Sequence, residues 1–319
     1  MQEVSKDIFY NSIANWEDVP FSQTEGWVRM QSGDNAGRVR YFLDENIGCA
    51  AHVKCFMGVT MLMIDTECLK HKHTKPATIS RFYEELCQTG VYMIEVNSRR
   101  VYEAEYEVGM RQAGYLRPVG SFSFELTNII DLTKPLAFNE NWKRNLKHSE
   151  DMGLRLERIE QPTDSDLEDF IRLYHEMCAQ KHLALPFTKE ALRVLLNDSH
   201  FHLCYICEEE KRLSSIIYHQ SRTHCGLLYA ATGVEGNERR AGFQQYKLLL
   251  DQLQQKGIET FDMEKMGASK HSTNAVFLFK QGIRGELKSL CGEWSWYKHS
   301  WYGIVMYFVK KYLWKKVQA

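Results

Sequence analysis

The sequence of 319 residues has almost no net charge, −1 at neutral pH, and no long apolar run. Without an excess of basic residues, we do not expect a nucleic-acid-binding protein with a positive field over its whole surface. No window of about eighteen uncharged apolar residues occurs, so we expect no ordinary membrane-spanning helix. The first residues, MQEVSKDIFYNSIANW, lack the apolar segment of a secretory signal peptide.

The cysteines also lack a pattern: nine are present, an odd number, without the spacing of a disulfide framework. Such cysteines fit a reducing compartment, so we expect a cytoplasmic protein. The segment HFHLCYIC could offer zinc ligands, but Cys204 and Cys207 would point to opposite faces of a strand. We therefore expect buried cysteines there and no metal site. With 44% hydrophobic residues, the length predicts two globular domains.

Two stretches of the chain share one order of elements. The first is SRFYEELCQTGVYMIEVNS followed by YEVGMRQAGYLRPVGSFSFEL, and the second is YKLLLDQLQQKGIETFDMEKM followed by AVFLFKQGIRGELKSLCGEW. Each predicts an amphipathic helix ending at a glycine (Gly90, Gly257), a strand, a second helix ending at a glycine (Gly114, Gly282), and another strand. This order indicates a tandem duplication, with two unrelated halves of similar rhythm as the alternative.

The rest of the chain predicts the elements around these copies. Residues 139–152 form a basic linking helix, Thr163 begins a long amphipathic helix, and TKEALRVLL forms another helix. Three strands follow, joined by hairpins at 208–212 and 221–224. The predicted fold class is α/β (α+β), with two tandem units that are each a mixed, mostly antiparallel sheet flanked by helices. The predicted units are 1–138 and 139–297, and segment 298–319 joins the first.

Four motifs along the chain resemble those of the FemABX peptidyltransferases. Proteins of that family consist of two units of the GNAT acetyltransferase fold. PFSQTEGWVRM resembles F-x-Q-(S/T)-x-x-W, WKRNLKHSEDMGL resembles R-N-(I/L)-(K/R)-x-(A/S)-x-x-x-G, and FLFKQGIRGEL resembles F-K-x-G-F-G-G. NERRAGFQQYKLLLDQLQQKGIETFDM resembles the helix and strand of the second unit. Together the motifs span most of the chain, from Phe21 to Trp296.

The resemblance implies an acyltransferase. Such an enzyme moves an aminoacyl or other acyl group from an activated donor, a charged tRNA, to an amine of a cell-envelope or surface-glycan precursor such as that of peptidoglycan. The second unit would carry the active site, and no metal or other cofactor would be needed. Two alternatives stay open: an acyl-CoA-dependent N-acyltransferase of the GNAT type, and a non-catalytic module that binds a charged glycan or tRNA.

By this resemblance Lys280 is the catalytic residue. It would stabilise the negative charge that develops on the carbonyl oxygen when the amine attacks. Lys280 ends an apolar helix, where a cation is favoured by the helix dipole. The competing interpretation is a solvated lysine at an ordinary helix end.

The resemblance also implies the substrate contacts. Arg144, in the basic run WKRNLKHSE, would hold phosphate or carboxylate groups, which its guanidinium can bind with two hydrogen bonds. The hydroxyl of Tyr246 would bind an acceptor group, although this ring could instead serve helix packing. The predicted substrate-binding residues are Arg144, Tyr246, Phe279, Trp142, Lys147 and Arg240.

Two departures qualify these expectations. The segment R-R-A-G-F-Q at 239–244 has Gln244 where relatives that use acyl-CoA have a small residue for close backbone approach, which disfavours coenzyme A as the donor. The family has a lysine shortly after the opening tryptophan, where this chain has Arg29. The acceptor is therefore open.

The C-terminal segment 301–319 combines an aromatic, apolar run with the lysines 310, 311, 315 and 316. We expect it to pack on the first unit, as the C-terminal segment does in the family. As a basic amphipathic helix it would also suit a peripheral contact with anionic lipid at the inner face of the membrane.

Overall fold

The computed structural model describes residues 1–33, 36–56, 58–118, 126–181, 187–267 and 275–317. The elements begin with β1 (Gln2–Val4), α1 (Lys6–Ile13), α2 (Glu25–Ser32), β2 (Val39–Leu43), β3 (Ile47–Phe56), β4 (Val59–Ile64), β5 (Cys68–Leu69), α3 (Pro76–Leu86), β6 (Met93–Val101) and α4 (Ala104–Gln112). They continue with β7 (Leu126–Asp131), α5 (Glu140–Glu150), β8 (Arg155–Ile159), α6 (Asp164–Lys181), α7 (Lys189–Leu196), β9 (Phe201–Glu208), β10 (Lys211–Ser221) and β11 (His224–Thr232). The last are α8 (Val234–Glu238), α9 (Ala241–Gln255), β12 (Thr260–Asp262), α10 (Ala275–Gly282), β13 (Glu286–Tyr297) and α11 (Ser300–Val317).

The chain forms two compact units: residues 1–125 with 288–319 make the first, and residues 126–287 make the second. In the first unit the strand order is β1-β2-β3-β4-β6-β13, and β5 pairs with β3. In the second unit the order is β8-β9-β10-β11-β12-β7. Both sheets are mostly antiparallel, which confirms the predicted fold class.

Among the described strands, each unit contains one parallel pair, and the two pairs are equivalent. β4 pairs with β6 across α3 in the first unit, and β11 pairs with β12 across α9 in the second. In both units, the helix that connects the two parallel strands ends before a glycine with positive φ, 83° at Gly90 and 77° at Gly257. These are the glycines that define the two copies in the sequence. Gly257 directly follows the C-cap of α9, where a left-handed residue is common, and Gly90 lies three residues after the C-cap of α3.

The final strand of each copy lies in the opposite unit. β7 follows the helices of the first copy along the chain, but it pairs with β12 in the second unit. β13 follows the helices of the second copy, but it pairs with β6 in the first unit. The ranges predicted from sequence, 1–138 and 139–297, keep each strand with its own copy and therefore differ from the units of the structure. Part of the strand predicted after Gly114, residues 119–125, lies outside the described residues.

Side-chain caps explain where the predicted helices begin. Thr163 Oγ1 accepts from the backbone N–H of Asp166 at 3.3 Å, and Asp166 Oδ2 accepts from the N–H of Thr163 at 2.7 Å. This reciprocal pair satisfies two N–H groups at the start of α6. Asn139 Oδ1 accepts from the N–H of Trp142 at 2.9 Å and caps α5. The predicted starts of both helices are confirmed.

The opening motif F-S-Q-T is a structural anchor for α2. The side chain of Gln23 is buried; its oxygen accepts from the N–H of Ala50 at 2.6 Å, and its NH₂ donates to the carbonyls of Ala50 and Asp65, each at 3.3 Å. Phe21 then meets Trp27 edge-to-face at 4.9 Å between ring centroids. Because a buried amide with its hydrogen bonds made resists displacement, this anchor fixes α2 against β3.

The C-terminal helix α11 belongs to the first unit, and one of its faces packs there. Tyr302 meets Tyr92 edge-to-face at 6.0 Å, and Gly303 lies against the ring of Tyr297. Of the helices in the described residues, none has the length and apolar character that crossing a bilayer demands.

Candidate active site

The second unit contains a cavity of about 410 Å³ between α6, α8, α9, α10 and the strands β10 and β11. Four of the predicted site residues line it: Arg240, Tyr246, Phe279 and Lys280. The other lining residues are Met177, Gln180, Lys181, Ser214, Leu227, Ala230, Thr232, Gly236, Asn237, Gly242, Phe243, Gln245, Ala275 and Val276. Its interior is mainly apolar with a few polar groups, which is typical of a small-ligand site.

The N-terminus of α9 opens onto this cavity. Arg240 takes a left-handed conformation (φ 55°) as the N-cap residue, and among the described residues no side chain caps the first N–H groups of the helix. Gly242 packs closely on β11, where an added Cβ would lie 3.2 Å from Thr232 Oγ1. The exposed side chains of Arg240 and Lys181 stand at the same cavity. Uncapped N–H groups at a helix start, together with two cations, suit an anion.

Tyr246 is buried in the cavity wall, where its ring packs 5.3 Å from that of Phe279. No described residue forms a hydrogen bond with the Tyr246 hydroxyl in this structure. Burial raises the pKa of Tyr246 far above that of an ordinary phenol. The hydroxyl therefore stays protonated and has its hydrogen available for a ligand.

The end of α10 is fixed by side chains from elsewhere in the unit. The indole Nε1 of Trp142 donates to the carbonyl of Phe279 at 2.9 Å. The Asn128 amide donates to the carbonyls of Lys280 and Ile283, each at 2.8 Å. These bonds satisfy carbonyls that a helix end leaves without partners. Trp142 is therefore a buried structural residue beside the cavity, not part of its lining.

Two glycines of the FLFKQGIRGEL motif allow this close approach. A Cβ added to Gly282 would lie 1.9 Å from Cδ1 of Trp142. One added to Gly285 would lie 2.5 Å from the carbonyl oxygen of Ile129 on β7. Since real Cβ contacts are never this short, both positions require glycine while their neighbours stay in place.

Lys280 lines the cavity, but its ammonium group is already hydrogen-bonded. Nζ donates to three consecutive backbone carbonyls: Met263 at 2.6 Å, Glu264 at 3.0 Å and Lys265 at 3.0 Å. Glu264 has a positive φ of 57°, which bends the chain after β12. An ammonium has three N–H bonds, so in this conformation none remains for a substrate.

Acidic side chains near Lys280 keep it charged. Burial lowers the pKa of Lys280 to about 8, against the opposing effect of Glu264 and Asp262. Burial and the charge of Glu264 raise the pKa of Asp262 to about 7. Glu264 also lies 3.3 Å from His219 Nε2. Lys280 is thus a half-buried cation within a charged cluster at the end of β12, and not the solvated lysine of the competing interpretation.

Arg144 and Lys147 lie on the exposed face of α5 and do not line the cavity. Arg144 Nη2 donates to Asn141 Oδ1 at 2.8 Å, one turn earlier on the helix. The opposite face of α5 carries the buried Trp142 and Leu146. Arg144 is therefore available to a ligand that approaches α5 from solvent.

Gln244 does not obstruct the cavity. Its side-chain oxygen lies 3.5 Å from Ser149 Oγ on α5, and Gln244 is not among the lining residues. The structure therefore accommodates the large side chain of Gln244 against α5, at the position where relatives that use acyl-CoA have a small residue.

A polar group at the base of the cavity was not predicted from the sequence. Ser214 Oγ donates to Gln245 Oε1 at 2.6 Å, and Gln245 Nε2 donates to the carbonyl of Cys204 at 3.1 Å. Both side chains are buried. The available signal was the serine pair in the otherwise apolar strand RLSSIIYHQ, because a buried hydroxyl needs a partner nearby.

We expect Lys280→Met to destabilise the protein. Losing three charge-assisted hydrogen bonds and leaving their carbonyls without donors should lower the free energy of unfolding by about 2–4 kcal/mol. The matched control is Lys143→Met, since Lys143 is exposed on α5 and should change stability by no more than about 0.5 kcal/mol. Urea unfolding followed by tryptophan fluorescence measures both. Equal stability of the two variants would contradict an anchoring role.

No protein-family model matches the chain, and no curated protein sequence does. Among solved structures, FemX is similar with a TM-score of 0.74 and 10% identity, over 96% of this chain and 100% of FemX. L-PGS from Bacillus licheniformis is similar with a TM-score of 0.64 and 14% identity, over 97% of each chain. The C-terminal domain of a putative lysylphosphatidylglycerol synthetase from Agrobacterium fabrum is similar with a TM-score of 0.62 and 12% identity, over 94% of this chain and 93% of that domain. At these identities the likeness shows the fold, and the chain has the fold of FemX.

Proposed function

We propose that the protein is an acyltransferase whose reaction takes place in the cavity of the second unit. It would move an aminoacyl or acyl group from a phosphate-bearing donor to an amine. The observation that carries this proposal is one cavity that combines the start of α9, which no described side chain caps, with the hydroxyl of Tyr246, which bonds to no described residue. The fold of FemX supports the same class of reaction.

The anionic end of the donor would lie at the start of α9. The N–H groups there, with Arg240 and Lys181, favour phosphate groups. Both candidate donors carry phosphates, in the tRNA backbone or in the pyrophosphate of coenzyme A. The acyl group would then extend into the apolar part of the cavity, beside Phe279 and Leu227.

In the reaction, the amine nitrogen forms a bond to the acyl carbon, and the bond to the leaving oxygen or sulfur breaks. The nitrogen gives up one proton and the leaving group takes one, so the step needs no net acid or base. Tyr246 would donate its hydrogen to the oxygen that gains negative charge, because its raised pKa keeps it protonated. Lys280 would add positive potential to the same cavity through its charge, while its N–H bonds hold residues 263–265.

For the acceptor, we propose an amine on an anionic precursor of the cell envelope or of a surface glycan. Arg144 and Lys147 are exposed cations on one helix, and they suit phosphate or carboxylate groups of a large substrate. The names of the similar structures, which include the C-terminal domain of a putative lysylphosphatidylglycerol synthetase, support an envelope role.

An acyl-CoA donor remains the second candidate. It is favoured by the position of Gln244, which contacts Ser149 and leaves the start of α9 open. The pattern of the sequence alone argued against this donor.

Binding should distinguish the donors. We expect either coenzyme A or charged tRNA to bind, and Arg240→Ala to weaken that binding about tenfold or more by removing a charge-assisted contact. Arg155→Ala is the control, because Arg155 is exposed in the second unit but does not line the cavity. Filter binding for tRNA and calorimetry for coenzyme A provide the readouts. If the wild-type protein bound neither donor, acyl transfer from these donors would be excluded.

With the donor known, Tyr246→Phe should lower kcat about a hundredfold and leave donor affinity nearly unchanged, because the lost hydrogen bond acts mainly in the transition state. The matched control is Tyr218→Phe. Tyr218 is buried in the same unit, and its hydroxyl has no partner among the described residues. Single-turnover transfer assays on both variants test this. Wild-type turnover in a folded Tyr246→Phe protein would remove Tyr246 from the mechanism.

We further propose that α11 contacts anionic lipid. Its large exposed residues recur at helical spacing and form one apolar stripe: Trp301, Ile304, Val305, Phe308 and Tyr312. The helix sequence contains four lysines and no acidic residue, which complements a negatively charged bilayer surface. The side chains of Lys310, Lys315 and Lys316 lie outside the described residues.

The protein should co-sediment with vesicles of phosphatidylglycerol and phosphatidylcholine, and less with phosphatidylcholine alone. Phe308→Asp should abolish this binding by placing a negative charge in the apolar stripe. Val108→Asp, at an exposed apolar position of α4, should not change it. Wild-type protein that stays in the supernatant at low salt would refute the contact.

A further inference from the structure

The first unit has its own cavity, of about 490 Å³, on the face of the sheet opposite its hydrophobic core. Its floor is formed by side chains of β3, β4, β6 and β13, and α2 and α11 contribute the remaining side chains. The lining residues are Trp27, Gln31, His52, Lys54, Met61, Met63, Ile64, Asp65, Glu95, Val96, Asn97, Arg99, Glu293 and Met306.

Strand register places the polar side chains side by side. Glu293 on β13 pairs with Asn97 on β6, and Glu95 on β6 pairs with Met63 on β4. The residues between them point the other way: Ile94, Leu62 and Trp294 are buried in the hydrophobic core. The cavity is therefore a continuous patch across neighbouring strands, and the sheet fixes its geometry.

Glu293 is the unusual member of this patch. It is only 6% exposed, yet no described residue donates a hydrogen bond to its carboxylate or forms an ion pair with it. Most of the Glu293 side chain is covered by protein, and its carboxylate faces the open space of the cavity, where a cationic ligand would be its charge partner.

The neighbouring carboxylates differ from Glu293 because they have protein partners. Asp65 binds the guanidinium of Arg99, with Oδ1 accepting from Nε at 3.1 Å. Glu95 accepts from Ser295 Oγ at 2.7 Å and from the hydroxyl of Tyr297 at 3.2 Å. These contacts hold the two side chains in place, and Glu293 is left to face the cavity.

The apolar part of the remaining lining suits an aliphatic chain. Met61, Met63 and Met306 present thioether side chains, which adapt to irregular apolar groups. The indole of Trp27 can contact either an alkyl chain or a cation. Since Gln23 anchors α2, Trp27 is held at the cavity by buried hydrogen bonds.

We propose that this cavity binds a primary alkylammonium group, with Glu293 accepting its N–H bonds and the methionines contacting its carbon chain. The class includes lysine-type side chains and polyamines. The site belongs to the first unit alone and does not depend on acyl transfer in the second.

The test compares n-pentylammonium chloride with 1-pentanol, which has a similar shape but no charge. Saturation-transfer NMR and calorimetry on the full chain measure binding. We expect the amine to bind at least about tenfold more tightly than the alcohol, as one buried charge-assisted bond provides. Equal binding of the two would show a merely apolar cavity and overturn the proposal.

Glu293→Gln should reduce amine affinity about tenfold or more, whereas Glu105→Gln, at an exposed position of α4, should not change it. A second variant, Met306→Lys, places an ammonium of the protein in the cavity and should also abolish amine binding. It decides the outcome if Glu293→Gln does not fold. Wild-type amine affinity in folded Glu293→Gln, or in folded Met306→Lys, would overturn the site.

Discussion

The hydrogen bond from the Trp142 indole to the carbonyl of Phe279 is the contact on which the cavity of the second unit depends. It fixes the last turn of α10 against α5, and Asn128 fixes the following carbonyls against β7. With the helix end held, Phe279 meets Tyr246, and Lys280 reaches the carbonyls after β12. The motif that resembles the FemABX turn is therefore first a packing motif, in which Phe279, Lys280, Gly282 and Gly285 each have a defined neighbour.

The two cavities differ in the charge that their walls offer. In the second unit, cations and backbone N–H groups surround an apolar interior that contains a neutral hydroxyl. In the first unit, the carboxylate of Glu293, which bonds to no described residue, faces an interior that Lys54 and Arg99 also line. The two cavities are also built from different elements. Residues of α6, α8, α9 and α10 line the cavity of the second unit, whereas α2 and α11 border the cavity of the first unit.

Much of the fold could be predicted from the sequence. Periodicity and caps located α5, α6, α7 and the three-strand meander, because these signals are local and Thr163 and Asn139 form their bonds within one helical turn. The exchange of β7 and β13 could not be predicted, since strand pairing between distant segments leaves no local pattern. In the candidate site, too, some features have a sequence signal and others depend on distant contacts. Tyr246 and Lys280 were found by motif, whereas the partners of Lys280 and the isolation of Glu293 depend on contacts across the tertiary structure.

The placement of β13 has a consequence for how the chain folds as the ribosome makes it. The second unit is continuous in sequence and can complete its sheet once residue 287 has emerged. The first unit begins earlier but lacks its last strand until β13 is synthesised, so the edge of β6 stays open in the meantime. The usual order, in which the N-terminal domain is finished first, is therefore reversed. The nascent protein must protect an unpaired strand edge for the length of an entire domain.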